Sequence, residues 1–305
     1  MHTPPVDTSA HLTVRVGCRL IYEPPVATAA LLCLRVRLNQ HQTLVGESLT
    51  FAGGRLASPT YTDPHGNTVN RIVLPPGPTE IVHDALVTVS PELDNFDHAD
   101  SDAVSPENLP DEVLRYTLPS RYCDFDKLMQ FAWDHFGQVE AGRARVQAIS
   151  DWLHENIEYR FGSGRPDLTA WDIIQRGHGV CRDFAHMIIA LCRALNMPAR
   201  YVVGHLPDIG YIDPGTPMDF HAYAEVYLAG GWYTIDPRYN VPRIGRVTVS
   251  RGLDAANCAF TTSYGAVNLR YFEVWAYQVP AGAVKLGDPI DLSVRLDGSD
   301  EVRRG

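Results

Sequence analysis

Apolar positions recur along this chain with two different periods, and the change from one to the other divides it. Between residues 11 and 90 the period is two. Leu12, Val14 and Val16 alternate with polar neighbours, as do Leu32, Leu34, Val36 and Leu38. Breakers separate the runs: Pro24–Pro25, Gly53–Gly54, and the turn sequence TDPHGN from Thr62 to Asn67. Ile72 to Leu74 and Ala85 to Val89 close the set. No helical period interrupts it, so a small antiparallel β-sandwich is predicted here.

The period then changes. Helices are predicted over roughly 124–136 and 142–159; in the second, Val146, Ile149, Leu153 and Ile157 form one apolar stripe. Residues Ala170 to Gln175 lead into GHGVCRDFAHMIIALCRALNMPARYVVGH, from Gly177 to His205. Within it Phe184, Ile188, Leu191, Cys192 and Leu195 have helical spacing, and Pro198 marks where that helix stops. Period two returns in HAYAEVYL (His221 to Leu228), followed by the Gly230–Gly231 turn signal and WYTIDP. Further strands are expected at 247–250, 259–262 and 271–279, with a weak alternating run in the polar stretch 288–305.

Composition narrows the class. A chain of 305 residues exceeds one average domain, and 45% hydrophobic with 20% charged residues is ordinary for a globular protein. A formal net charge of −10 without a basic cluster argues against nucleic acid. No stretch approaches a membrane span, and the first residues lack the pattern of a signal peptide, so a cytoplasmic location is expected. Six cysteines without CxxC pairs (Cys18, Cys33, Cys123, Cys181, Cys192, Cys258) fit neither a disulfide scaffold nor a zinc ribbon. Acidic residues accumulate from Asp94 to Glu112 with no lysine or arginine, as in a solvated linker.

One cysteine stands apart. Cys181 is expected at the first turn of a buried helix, where unpaired N–H groups and the helix dipole favour thiolate over thiol. A thiol nucleophile needs a base, and the base an orienter. His221 opens one predicted strand and Asp236 lies late in its hairpin partner. With Gly230–Gly231 as the turn, Asp236 falls opposite Glu225, on the face of His221 but four residues along, roughly 13 Å. A bulge or strong twist has to close that gap.

The blocks GVCRDFAH, ALNMPARYVVGH, DFHAYAEVYL and GWYTIDPRYN together closely resemble the bacterial transglutaminase-like superfamily, often described as candidate cysteine proteases. TDPHGN resembles that family's N-terminal β-domain, and SRGLDAANCAF its segment after the aspartate, so the likeness runs from about residue 11 to 279. It implies an α+β protein: an N-terminal β-sandwich (1–93), an acidic linker (94–115), a papain-like, transglutaminase-like catalytic domain of helix packed on antiparallel sheet (116–280), and a tail or edge strand (281–305). It implies Cys181 as nucleophile, His221 as base and Asp236 as orienter, with no cofactor or metal. The activity implied is thiol acyl transfer on a peptide or protein amide. Water as acceptor makes a peptidase or amidase; an amine makes a transglutaminase. A peptide-binding module without turnover is the rival from another class. One departure from the family is Tyr223, where tryptophan usually follows the His-Ala pair; it bears on substrate preference.

Other residues carry plainer readings. His178, Cys181 and His186 match no standard zinc spacing. Asp183 is expected to stabilise the helix start, Arg182 to pair at the surface, and Arg251 with Asp254 to form a structural ion pair. Trp171 belongs to the core or to the cleft wall. The backbone N–H of Cys181 is the default oxyanion donor.

Overall fold

A computed structural model describes residues 11–39, 41–94, 102–211 and 217–297. The N-terminal half is made of strands β1 (Leu12–Glu23), β2 (Thr28–Leu32), β3 (Gln42–Phe51), β4 (Gly54–Arg55), β5 (Thr60–Thr62), β6 (Thr68–Leu74) and β7 (Thr79–Val89). Next come α1 (Asp111–Leu114), α2 (Met129–Phe136), α3 (Arg143–Asn156), β8 (Glu158–Tyr159), α4 (Ala170–Arg176), β9 (His178–Gly179) and α5 (Cys181–Ala194). The chain finishes with β10 (Ala199–His205), β11 (His221–Leu228), β12 (Gly231–Ile235), β13 (Val247–Gly252), β14 (Thr261–Ser263) and β15 (Asn268–Val279). Mixed α and β with antiparallel main sheets is the α+β class that the resemblance implies.

Two sheets form the sandwich, in the orders β15-β1-β7-β3-β4 and β14-β2-β6-β5. Alternation explains their shared core: Cys18, Leu20 and Tyr22 of β1 meet Ala30, Leu32, Ile72 and Leu74 of the facing sheet. TDPHGN is the turn joining β5 to β6, where Asp63 Oδ1 accepts the N–H of His65 and of Asn67 at 2.8 Å. Two pairings depart from the sequence-drawn boundaries. The strands β14 and β15, placed with the catalytic segment, pair with β2 and β1 of the sandwich. The polar stretch after 280 supplies no strand among its described residues; a single 3-10 turn, Leu292–Val294, lies there instead. Its apolar side chains, with Val284 and Leu286, cover Trp275 and Tyr277 on the outer face of β15. The acidic run lies partly outside the described residues, and its remainder includes α1 and flanking 3-10 turns.

A third sheet, β12-β11-β10-β13, carries α5 against one face. The helix is buried all round from Asp183 to Ala194, not on one face only. The sheet covers one side; α2, α3 and α4 cover the rest. Arg193, 1% exposed, is the exception in chemistry. Its guanidinium donates to the carbonyls of Tyr116, Leu118, Ala199 and Leu253, so a buried charge is satisfied entirely by backbone and Ser120. The sandwich grips the other edge of this sheet. Asn67 exchanges hydrogen bonds with the backbone of Arg251, and Gln42 does the same with Thr248.

Candidate active site

The turn before Cys181 is built by two glycines, each for a separate reason. Gly177 ends α4 in the left-handed region (φ 73°). At Gly179 a Cβ would lie 2.8 Å from Asp183 Cβ, and the reason is functional for the helix: Asp183 folds back so that Oδ2 accepts the Val180 N–H at 3.0 Å. The glycines therefore end one helix and admit the cap of the next. Cys181 opens α5, and its N–H has no intrahelical acceptor.

The sulfur rests against the backbone on either side of His221. Its thiol points at the Phe220 carbonyl, 3.9 Å away, and the Ala222 N–H is directed at it. His221 Nε2 lies 2.6 Å from Asp236 Oδ2, with both residues buried. A carboxylate only accepts, so Nε2 carries the proton and Nδ1 is the nitrogen free to take one.

The hairpin register closes the gap expected from sequence. Leu228 pairs with Gly231 and Ala224 with Ile235, so the turn is Ala229–Gly230, one residue earlier than the glycine pair. Extended by one step, that register sets Asp236 opposite Tyr223 rather than Glu225. Asp236 is then a diagonal neighbour of His221 on the same face, a separation of roughly 7–8 Å that the two side chains span. Glu225 instead pairs with Arg200 and Arg251. This corrects the expected Arg251–Asp254 ion pair, since Asp254 accepts the N–H groups of Tyr122 and Ala256.

Burial sets the resting protonation. It pushes the Cys181 thiol up to about 11; the positive charge of Arg238 and the Ala222 N–H oppose this, while Asp219 and Asp236 add to it. Burial also pushes His221 down to about 4, against the pull of Asp236. Asp236 moves the other way: burial would raise it, but His221 and Arg246 hold it below the usual carboxylate range. Desolvation opposes the helix start at Cys181, and at His221 it favours the neutral imidazole.

The remaining candidates have structural surroundings. His186 is buried, stacks on Tyr122 with ring centroids 5.0 Å apart, and its Nε2 accepts the Ala255 N–H. Arg182 pairs with Asp183 and reaches the Arg165 carbonyl. Trp171 packs at the margin of the helical core. Tyr223, the family departure, is 3% exposed and bonds Thr248 Oγ1, so it is part of the sheet rather than a substrate wall. Sequence reasoning missed Arg246, whose Nη2 donates to Asp236 Oδ2 at 3.0 Å. No motif flags it, because its other partner, Asp94, is distant in sequence.

Residues 130–237 match the transglutaminase-like superfamily. The chain is similar to a structure described as a candidate cysteine protease from Cytophaga hutchinsonii, with 29% identity and a TM-score of 0.80, covering 89% of this chain and 92% of that one. It is also 26% identical over 230 residues to an uncharacterized protein of Mycobacterium leprae, covering 72% of this chain and 80% of that protein. The human kyphoscoliosis peptidase is 26% identical over 113 residues, only 17% of its length. Among the described residues, no helix is long and apolar enough to cross a membrane.

Proposed function

We propose that this protein cleaves peptide or isopeptide amides by thiol acyl transfer, with Cys181 as nucleophile, His221 as base and Asp236 as its orienter. The observation that carries the reading is the 2.6 Å Asp236–His221 pair on the strand whose backbone brackets the Cys181 sulfur. As the sulfur attacks the carbonyl carbon, its proton passes to His221 Nδ1, and Asp236 stabilises the imidazolium. The Cys181 N–H at the helix start is the default donor to the oxyanion as it forms. His221 then protonates the leaving amine, the acyl group stays on sulfur, and water activated by the same imidazole releases it. Likeness to a candidate cysteine protease supports hydrolysis over transfer to an amine.

The test is incubation of a peptide library in H₂¹⁸O with wild type and with Cys181→Ser, read by mass spectrometry. Hydrolysis puts ¹⁸O into a new carboxylate. An amine adduct without ¹⁸O would make the protein a transglutaminase, and no covalent change in either sample would make it a binding module. Product formation by Cys181→Ser at the wild-type rate would remove Cys181 from the mechanism.

A further inference from the structure

Arg246 sits where two carboxylates from opposite ends of the fold converge. Its Nη2 donates at 3.0 Å to Asp236 Oδ2, the same oxygen that accepts from His221 Nε2. Its Nε lies 2.9 Å from both oxygens of Asp94. The guanidinium lies over the Tyr223 ring, 4.5 Å from the centroid, and its side chain is 7% exposed. Asp94 is itself fixed: its N–H donates to the Arg243 carbonyl, its Oδ2 accepts the Arg243 N–H at 2.9 Å, and the preceding Leu93 bridges Ile244. The chain leaving the sandwich is thereby stitched to the loop beyond Asp236.

We infer that Arg246, held by Asp94 and seated on Tyr223, is a positioning residue that fixes the Asp236 carboxylate on His221 Nε2. This rests on the acyl-transfer reading. A carboxylate bonded through one oxygen to one imidazole is free to rotate about its last side-chain torsion. A second, charged donor on that same oxygen removes the freedom and keeps Asp236 ionised. The imidazole then holds one tautomer, with the proton on Nε2 and Nδ1 left as the basic nitrogen. Tyr223 in place of the family's tryptophan fits this role. Its hydroxyl anchors to Thr248 while its ring carries the guanidinium. The chain leaving the sandwich contributes to the site through Asp94.

The charged and titratable groups around His221 are Asp236 at the end of β12, Arg246 and Arg238 from the loop that follows, Tyr239 and Tyr223 by ring contact, and Cys181 from α5. Arg246 lowers the imidazole's affinity for protons, so its loss raises the midpoint of His221.

The experiment reads the ¹⁵N imidazole signals of His221 against pH in the full chain without substrate, for wild type, Arg246→Gln, Arg246→Lys and Asp94→Asn. Wild type should show the Nε2–H tautomer alone. In Arg246→Gln the two tautomers should mix and the midpoint should rise by about one unit. Arg246→Lys should keep the low midpoint and recover most of the Nε2–H tautomer. Asp94→Asn should mix the tautomers without raising the midpoint, because the guanidinium charge remains. A merely structural role would alter melting without this split. An unchanged tautomer and midpoint in Arg246→Gln would overturn the inference; if that variant does not fold, a wild-type tautomer in Asp94→Asn would do so. Because no turnover is measured, failure here is separate from failure of the peptidase reading.

Discussion

The resting protonation of Cys181 yields a prediction with a magnitude. With the thiol at about 11, the thiolate fraction at pH 7 is on the order of 10⁻⁴, against roughly 3% for an ordinary cysteine near 8.5. Alkylation by iodoacetamide follows thiolate, so at pH 7 Cys181 should label about 300-fold more slowly than a free cysteine. The rate should climb about tenfold per pH unit through pH 9 with no plateau. Turnover should behave differently. It needs neutral His221 and the thiol proton, so it should lose its acid limb near 4 and stay level from about 5 to 10. Peptide mapping resolves Cys181 from the fully buried Cys18 and Cys192 and gives its rate at each pH. A labelling rate that is fast and flat between pH 6 and 8 would refute the reasoning, since it would mean a thiolate already present at rest.

Three further outcomes are expected. Asp236→Asn should keep the fold but slow turnover by about 10⁴, as for the equivalent loss in a serine-protease triad, measured with kcat/KM on any cleaved peptide. Buried His205, pushed down to about 3 with both ring nitrogens lacking partners among the described residues, and His221, at about 4, stay neutral when folded but protonate near 6.5 when unfolded. Stability should therefore fall as pH drops through 6.5 toward 4. His205 alone accounts for about 3 kcal/mol by pH 4 at ~1.36 kcal/mol per unit, which a Tm series of wild type and His205→Phe measures. Arg193→Ala should cost at least about 3 kcal/mol in urea unfolding, because four carbonyls lose a buried donor.

Local features were legible in the sequence where one segment determines them. The period-two run from Leu12 to Val16 became part of β1 and Ala85 to Val89 part of β7, while the run from Leu32 to Leu38 leaves its strand, β2, after Leu32. TDPHGN became the β5–β6 turn, and Cys181 opens its helix as the helical spacing predicts. Long-range choices were not legible. Nothing in residues 268–279 says that the strand pairs with β1 across the whole chain, because sheet partners are chosen by complementary faces rather than by local pattern. The Ala229–Gly230 turn shows the same limit at short range. Two glycines in succession allow either register, and a one-residue difference in the turn decides whether Asp236 reaches His221. Arg246 and the protonation of Cys181 depend on burial and on Asp94, which only the assembled fold supplies.

The central claim is that an acyl group passes through the Cys181 sulfur. It is tested most directly by mixing the protein with short peptide amides, quenching in acid within the first turnovers, and mapping the protein by mass spectrometry. The account predicts an acyl adduct on the peptide containing Cys181, absent from Cys181→Ser and from His221→Gln, that appears before free product. Product formed by wild type with no adduct at Cys181, or at an undiminished rate by Cys181→Ser, would contradict it.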